Sequence, residues 1–477
     1  MFAAAQGLVT EQALLAYVGA GGRISDGPTC AEYVDDLLGR PEGGNYAFAG
    51  AEAAGSQRLG DFIDEFSGGG ALLVLETDTR LDFDIDLGAQ IDRFATDTAG
   101  ASLGDATGFI LIGANDYLNV LGGANPAVVV ARAVGATLFG AVELLGTGLG
   151  EVVISTLPVP LFFPYLSRLS PEQQGQAGAV YEAYTAALTQ GVEALQALGQ
   201  DVRLLDLRPI SEALADDPSG FGLIAPYDLT IKGGDPDQLA PYDQDQVAFW
   251  NPLHPSAATH GILGAYTAFA LEHDPIGLTA GLDRVATGSG TDLVLGLGGH
   301  DVIRLGAGDD LGFGGSGKDM IRAGEGNDLV SGGSQTDLLE GQSGRDVLDG
   351  DEGSDRLVGG RGNDVLIEGL GSDRCYGGRG ADQFLFTQAE LIGGTTGHDN
   401  DVFVGGRGVD TLWLALSAAK VEALGDALAG PDPQEALGDL GIEIRGIEDI
   451  RVVTGRAGFD TLSEEAWFHH PDLWGLV

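Results

Sequence analysis

Gly359-Gly360-Arg361-Gly362-Asn363-Asp364-Val365-Leu366 spells GGxGxDxU, with U an apolar residue. The same spelling recurs on both sides with a period of nine. Aspartate stands at Asp283, Asp292, Asp301, Asp310, Asp319, Asp328, Asp337, Asp346, Asp355, Asp364, Asp373 and Asp382 without a miss. From Asp292 onward, the glycine two residues before the aspartate fails once, at Gln335. The apolar residue two after it fails once, at Gly312, and is a cysteine at Cys375.

A period of nine has a physical meaning. Roughly six residues of glycine-rich turn and about three of strand make half a coil, so two repeats close one coil of a parallel β-roll. The residue at U points inward and stacks along the roll. The turns visit positive φ, which a Cβ disfavours. They gather backbone carbonyls, and aspartate adds a charged hard oxygen. That donor set suits Ca²⁺ rather than a soft metal. Alternate aspartates share an edge, so several ions are expected between stacked turns. The candidate ligands are Asp301, Asp310, Asp319, Asp328, Asp337, Asp346, Asp355, Asp364, Asp373 and Asp382. The turn glycines of those sites are Gly315, Gly317, Gly324, Gly326, Gly360, Gly362, Gly378 and Gly380. Asp283 and Asp292 read as a degenerate start. A glycine-rich acidic linker has no reason to hold aspartate in register so often.

This segment resembles the RTX (hemolysin-type) calcium-binding repeat family. The resemblance implies secretion through a type I exporter that reads an uncleaved C-terminal signal. The N-terminus, MFAAAQGLVTEQ, carries neither a basic n-region nor an apolar h-region, so no N-terminal signal peptide is expected. No apolar run of spanning length stands out, and no transmembrane segment is expected. The resemblance thus implies an extracellular location.

The formal net charge of −47 argues against nucleic acid as a partner. It fits a chain whose self-repulsion divalent cations relieve. Cys30 and Cys375 lie in different segments and read as buried thiols rather than a disulfide.

At 477 residues the chain exceeds one ordinary core. Three segments are expected: 1–275, 276–385 and 386–477. The first alternates strand-like and helical patterns, as in an α/β layer fold. Strands are expected at 72–75, 108–112, 151–155 and 201–207. Helices are expected over 128–145, from Ser170 to Leu198 behind an N-cap serine and Pro171, and over 255–272. Residues 213–245 read as loop. The proline-punctuated run Leu157 to Leu166 reads as a loop, open to an acyl chain or simply buried.

Four blocks in this first segment occur in a family order. Gly22-Arg23-Ile24-Ser25-Asp26-Gly27-Pro28, Asn45-Tyr46-Ala47-Phe48-Ala49-Gly50-Ala51, Gly113-Ala114-Asn115-Asp116 and Asn251-Pro252-Leu253-His254-Pro255 resemble the conserved blocks of SGNH/GDSL hydrolases. The resemblance implies a three-layer α/β esterase or lipase acting on an ester or lipid substrate. His254 would be the base, Asn251 its orienting partner, and Gly50 and Asn115 the oxyanion donors. Two departures stand against activity. Asn251 replaces the family's aspartate, and an amide cannot stabilise an imidazolium as a carboxylate does. Asp243 and Asp245 are the neighbouring carboxylates that could substitute. No Gly-Asp-Ser nucleophile block precedes Gly22. Either Phe2-Ala3-Ala4-Ala5 stands in its place with alanine for serine, or the block lies upstream of Met1. Ser25 belongs to the next motif and is not the nucleophile.

After Asp382 the repeat breaks, and Asp401 and Asp410 return late. A helix over 417–428 and strands at 441–445 and 449–453 are expected to cap the roll as a small α+β unit. The apolar C-terminus from Trp467 suits an exporter-read signal. The whole is then an RTX calcium-binding protein with a GDSL-type hydrolase domain, active or inactive. The alternative is a non-enzymatic calcium-binding protein with a degenerate hydrolase domain.

Overall fold

The computed structural model describes residues 87–454 apart from 105, 112–119, 121–122, 222, 224–246, 252–253, 256, 389–399, 429 and 431–432. The expected strand at 72–75, the blocks at 22–28 and 45–51, Cys30, Ser25, Asp243, Asp245, Asn115 and the C-terminal signal region lie outside them. Tertiary contacts divide the chain into two units, Met1–Ser211 with Trp250–Thr267, and Glu212–Phe249 with Ala268–Val477.

The first unit is α/β. Its order is α1 (Leu87–Asp97), β1 (Thr107–Ile110), α2 (Pro126–Gly146), β2 (Glu151–Ser155), α3 (Pro171–Ala197) and β3 (Val202–Leu205). The three strands form a parallel sheet in that order. Parallel strands are buried on both faces and read as continuous apolar runs. Val152, Val153 and Ile154 accordingly have no exposed surface. Both long helices start where local chemistry says they should. Asn125 caps α2, its side chain accepting from the Ala127 N–H at 3.0 Å, with Pro126 in the first turn. Ser170 and Gln173 form a reciprocal capping box on α3, ahead of Pro171.

Helix α2 corrects one expectation. It is 21 residues long with a mean hydropathy of 1.8, so length and composition alone would let it cross a membrane. Arg132 and Glu143 are its two charged residues. It packs against β2 and α3, burying Val130, Ala133, Val134, Ala141 and Leu144. One face of it thus belongs to the α/β core, while Val128, Phe139 and Val142 are exposed. The run from Leu157 to Leu166, read as an open or a buried loop, is mostly packed, with Tyr165 exposed. Leu157, Val159, Phe162 and Leu166 are buried in it, around a 3₁₀ turn at Pro160–Phe162.

After β3 come α4 (Arg208–Asp216), the short paired strands β4 (Phe249–Asn251) and β5 (His254–Pro255), and α5 (Ala257–Glu272).

The second unit is the parallel β-roll. Among the described residues one sheet has eight strands and the other nine, every pairing parallel. Partners step by 18 residues: Val302, Met320, Leu338, Arg356 and Arg374 stand side by side. The U residues Ile303, Ile321, Leu339, Leu357 and Cys375 stack from one sheet. Val294, Val330, Leu348, Leu366 and Phe384 stack from the other, all without exposed surface. Cys375 is a buried free thiol, as its U position requires.

Two departures from the pattern explain each other. Gly312 leaves a gap at U, and Leu305 stands where a turn glycine is the rule. Leu305 is fully buried, and its Cδ1 lies 2.9 Å from where a Gly312 Cβ would be. One side chain has moved to the neighbouring position and still fills the core.

The roll also extends past Asp382. Strands Asp401–Arg407 and Thr411–Leu416 continue the two sheets after a longer step, Arg374 pairing with Val402 and Gln383 with Thr411. The strands expected to cap the roll, Ile442–Arg445 and Asp449–Thr454, are instead its last coil. Ahead of that coil, after Thr411–Leu416, α6 (Ala418–Leu428) and α7 (Gln434–Gly438) bury Leu428, Ala436 and Leu437 in the roll's own core.

Candidate metal centre

Number the repeat from 1 to 9 with aspartate at 6. Each of these aspartates uses its two carboxylate oxygens differently. Oδ1 accepts the backbone N–H of the aspartate one coil earlier. Asp310 donates to Asp328 at 2.9 Å, Asp328 to Asp346 at 3.1 Å, Asp346 to Asp364 and Asp364 to Asp382 at 3.0 Å. On the other edge Asp301 donates to Asp319, Asp319 to Asp337, Asp337 to Asp355 and Asp355 to Asp373, at 2.6 to 2.7 Å. Oδ2 is different. In Asp301, Asp310, Asp319, Asp328, Asp337, Asp346, Asp355, Asp364, Asp382 and Asp410 it is buried and has no hydrogen-bond partner. A buried carboxylate oxygen without a partner is costly, and so marks a candidate ligand position.

Position 1 shows where that ligand would sit. A Cβ built at Gly314, Gly332, Gly341, Gly359, Gly377 or Gly405 would lie under 3.0 Å from Oδ2 of Asp319, Asp337, Asp346, Asp364, Asp382 or Asp410. At Gly314 and Gly341 the carbonyl oxygen of the next coil's turn, Gly332 or Gly359, converges on the same spot. Carboxylate and carbonyl oxygens meeting where glycine has removed the side chain are the hard donors Ca²⁺ takes. The residues present therefore fit the ion. At Asp301, Asp310 and Asp328 this cradle is missing or altered. Leu305 and Ala323 hold position 1 before Asp310 and Asp328.

The glycines at positions 2 and 4 serve the backbone. Gly315, Gly317, Gly324, Gly326, Gly360, Gly362, Gly378 and Gly380 all have positive φ. A Cβ there would press on a carbonyl of the preceding coil. The turn dictates this geometry whatever the residue. Leu297, Gln342 and Asp351 at position 2, and Gln335 at position 4, adopt φ of 60 to 77° despite their side chains. The fault at Gln335 is thus absorbed in place.

Burial is the main influence on these acids. It pushes Asp337 up to about 9, Asp346 to about 8, and Asp319, Asp328, Asp355 and Asp364 to about 7. Asp310 and Asp382 rise to about 6. The ladder N–H groups oppose the rise, and neighbouring aspartates add to it.

Sequence reasoning missed two features. Glu368 holds position 1 before Asp373, and its carboxylate lies within 4.8 Å of those of Asp373 and Asp401, all three buried. An acid in a glycine slot was the available signal. The other is Asp217, from the segment after α4. It stands with Ser331, Asp349 and Asp351, and Ser331 Oγ donates to Asp351 at 2.6 Å. Burial, then Asp349 and Asp217, drives the Asp351 carboxyl well up. No spacing rule connects residue 217 to the repeats. Beside it, Phe221 stacks on Phe313 with centroids 4.7 Å apart.

Of the four candidate hydrolase residues, Gly50 and Asn115 lie outside the described residues. Asn251 ends β4 and His254 begins β5, and these two strands pair. Their side chains also lie outside what is described.

Residues 279–312, 313–348, 349–384 and 395–413 match the RTX calcium-binding nonapeptide repeat, in four copies. The chain therefore carries RTX repeats, and these repeats bind Ca²⁺. Proteins with such repeats are generally secreted, typically by a type I route. No curated protein matches the chain.

Proposed function

We propose that this is an extracellular calcium-binding protein whose β-roll folds when ions occupy its turns. The ligands would be the aspartates from Asp301 to Asp382, strongest where position 1 is glycine. One observation carries the reading: ten buried Oδ2 atoms have no hydrogen-bond partner, while their Oδ1 twins form the ladder. Before export, where free calcium is scarce, the acidic roll would stay unfolded. Outside, ion binding would supply folding free energy by mass action. Circular dichroism of the full chain, with calcium and with chelator, tests this. The strand signal and melting temperature should rise with calcium; equal curves would refute the proposal.

A second reading concerns the first unit, as a GDSL-type ester hydrolase. Its support is a parallel α/β sheet whose first strand leads toward the Gly113–Asp116 block, with Asn251 and His254 on adjoining strands. His254 would act as base, Asn251 would orient it, and Gly50 and Asn115 would bind the oxyanion. A short-chain chromogenic ester assay decides, with His254→Ala as control. Turnover abolished in that variant supports hydrolysis. No turnover by the native chain leaves a non-enzymatic calcium-binding protein.

A further inference from the structure

The calcium edge continues beyond the matched repeats, which end at residue 413. Asp382 donates its N–H to Asp410 Oδ1 at 2.9 Å, and Asp410 donates its own to Glu448 Oε2, also at 2.9 Å. Glu448 therefore takes the next aspartate's place in the ladder. It does so from a coil with no GGxGxD spelling: the local sequence is Arg445-Gly446-Ile447-Glu448-Asp449.

The second half of the arrangement is present too. Asp410 has no exposed surface, and its Oδ2 has no hydrogen-bond partner. A Cβ built at Gly405 would lie under 3.0 Å from both Asp410 Oδ2 and the Gly446 carbonyl oxygen. In the repeats, Gly341 meets Asp346 Oδ2 and the Gly359 carbonyl in the same way. In a repeat, position 1 and aspartate are five residues apart, whereas Gly446 and Glu448 are only two apart. The turn is shorter, and the longer glutamate side chain makes up the reach.

We infer that Asp410, Glu448 and the Gly446 carbonyl form a calcium site of their own, closing the roll with a coil that is not a repeat. The inference rests on the calcium reading of the repeats and extends it to a site with a separate task. An ion there joins the last repeat turn to a segment 38 residues downstream, rather than to the next coil 18 residues on. It pins the coil Ile442–Thr454, and with it α6 and α7, whose buried side chains complete the core. Trp413 reports this docking directly. It pairs with Arg451, whose guanidinium lies 4.6 Å over the indole. The site sits at the end of the edge, with Glu448 exposed, so it exchanges with solvent more freely than the interior turns.

The test uses the full chain, calcium alone as probe, and two readouts: bound ions by equilibrium dialysis, and Trp413 fluorescence isolated by subtracting a Trp413→Phe reference. Glu448→Gln keeps an oxygen for the Asp410 N–H and removes the charge, so the coil can still form. It should bind one ion fewer at limiting calcium. Its Trp413 transition should need at least about tenfold more calcium, while the roll's strand signal keeps its native midpoint. Asp410→Asn should match it, and Asp364→Asn should shift the strand signal instead. A native ion count and Trp413 midpoint in Glu448→Gln would overturn the inference. A native chain that binds no calcium would instead refute the reading of the repeats.

Discussion

Asp346 donates its backbone N–H to Oδ1 of Asp364 over 3.0 Å, while Oδ2 of Asp364 meets no hydrogen-bond donor. One carboxylate thus serves the fold with one oxygen and the ion with the other. The two roles separate by substitution. Asp364→Asn can keep the ladder bond and loses the anionic ligand. Asp364→Ala loses both and leaves a buried N–H unsatisfied, at about 1–3 kcal/mol. In chelator at about pH 4, where protonated carboxyls let the roll fold without the ion, Ala should melt well below the native chain and Asn close to it. In calcium, both should fall below. Denaturant titrations of the three proteins under both conditions check this.

Gly359→Ala tests the cradle. The new Cβ would press on Asp364 Oδ2, with no positive φ to confuse the cause. Calcium affinity should drop; the same Cβ also lies 2.8 Å from Asp364 Cβ and 2.9 Å from its Cγ, so a loss of stability in chelator is expected as well. Gly175→Ala is the contrasting case. Gly175 lies in α3, where nothing stands within 4 Å of a new Cβ. It should stabilise the first unit by about 0.5–1 kcal/mol. A calcium titration of each variant against native protein tells them apart.

The pH dependence of the calcium-free roll should run opposite to that of most acidic proteins. In the folded roll the aspartates sit at about 6 to 9, above the ordinary 3.8. The folded state then holds more protons than the unfolded one between those limits. Stability is fully present below about 4 and drains away as pH climbs toward 9. With calcium the order reverses, because the ion needs ionised carboxylates and displaces their protons. Melting temperatures from pH 4 to 9, with and without calcium, should cross.

Leu305 and Gly312 should behave as one unit. Gly312→Leu alone overpacks the core against Leu305 and should cost about 1–3 kcal/mol. Adding Leu305→Gly restores the usual arrangement and should recover most of the loss. The two effects are then far from additive. A double-mutant cycle by chemical denaturation measures the coupling, and additivity would show that the two sites do not share a space.

Cys375 offers a direct readout of roll closure. Its thiol is fully buried, and burial pushes its pKa well up. A thiol reagent should modify it slowly in calcium and much faster in chelator. Equal rates would mean that the roll around it does not depend on the ion.

Much of this was legible in the chain because the signals are local. The aspartate at every ninth residue sets the 18-residue register. The residues at U name the core, as Ile303, Leu348 and Phe384 show. The start of α3 follows from Ser170-Pro171, whereas the α2 start expected at residue 128 lies two residues earlier, at Pro126 behind the Asn125 cap. Each of these depends only on residues a few positions apart, so spacing reveals it.

Tertiary structure alone decided the rest. Leu305 fills the gap at Gly312 from a position that sequence spacing assigns to a turn. Asp217 reaches the roll from a segment outside the repeats. Glu448 stands in for an aspartate on a coil with no repeat spelling. That coil is recruited by an open parallel sheet edge and an unfinished core, and neither leaves a periodic trace in the recruited segment. A period records what a residue shares with its neighbours in sequence. What closes the roll is set by the last exposed edge, which exists only once the repeats before it have folded.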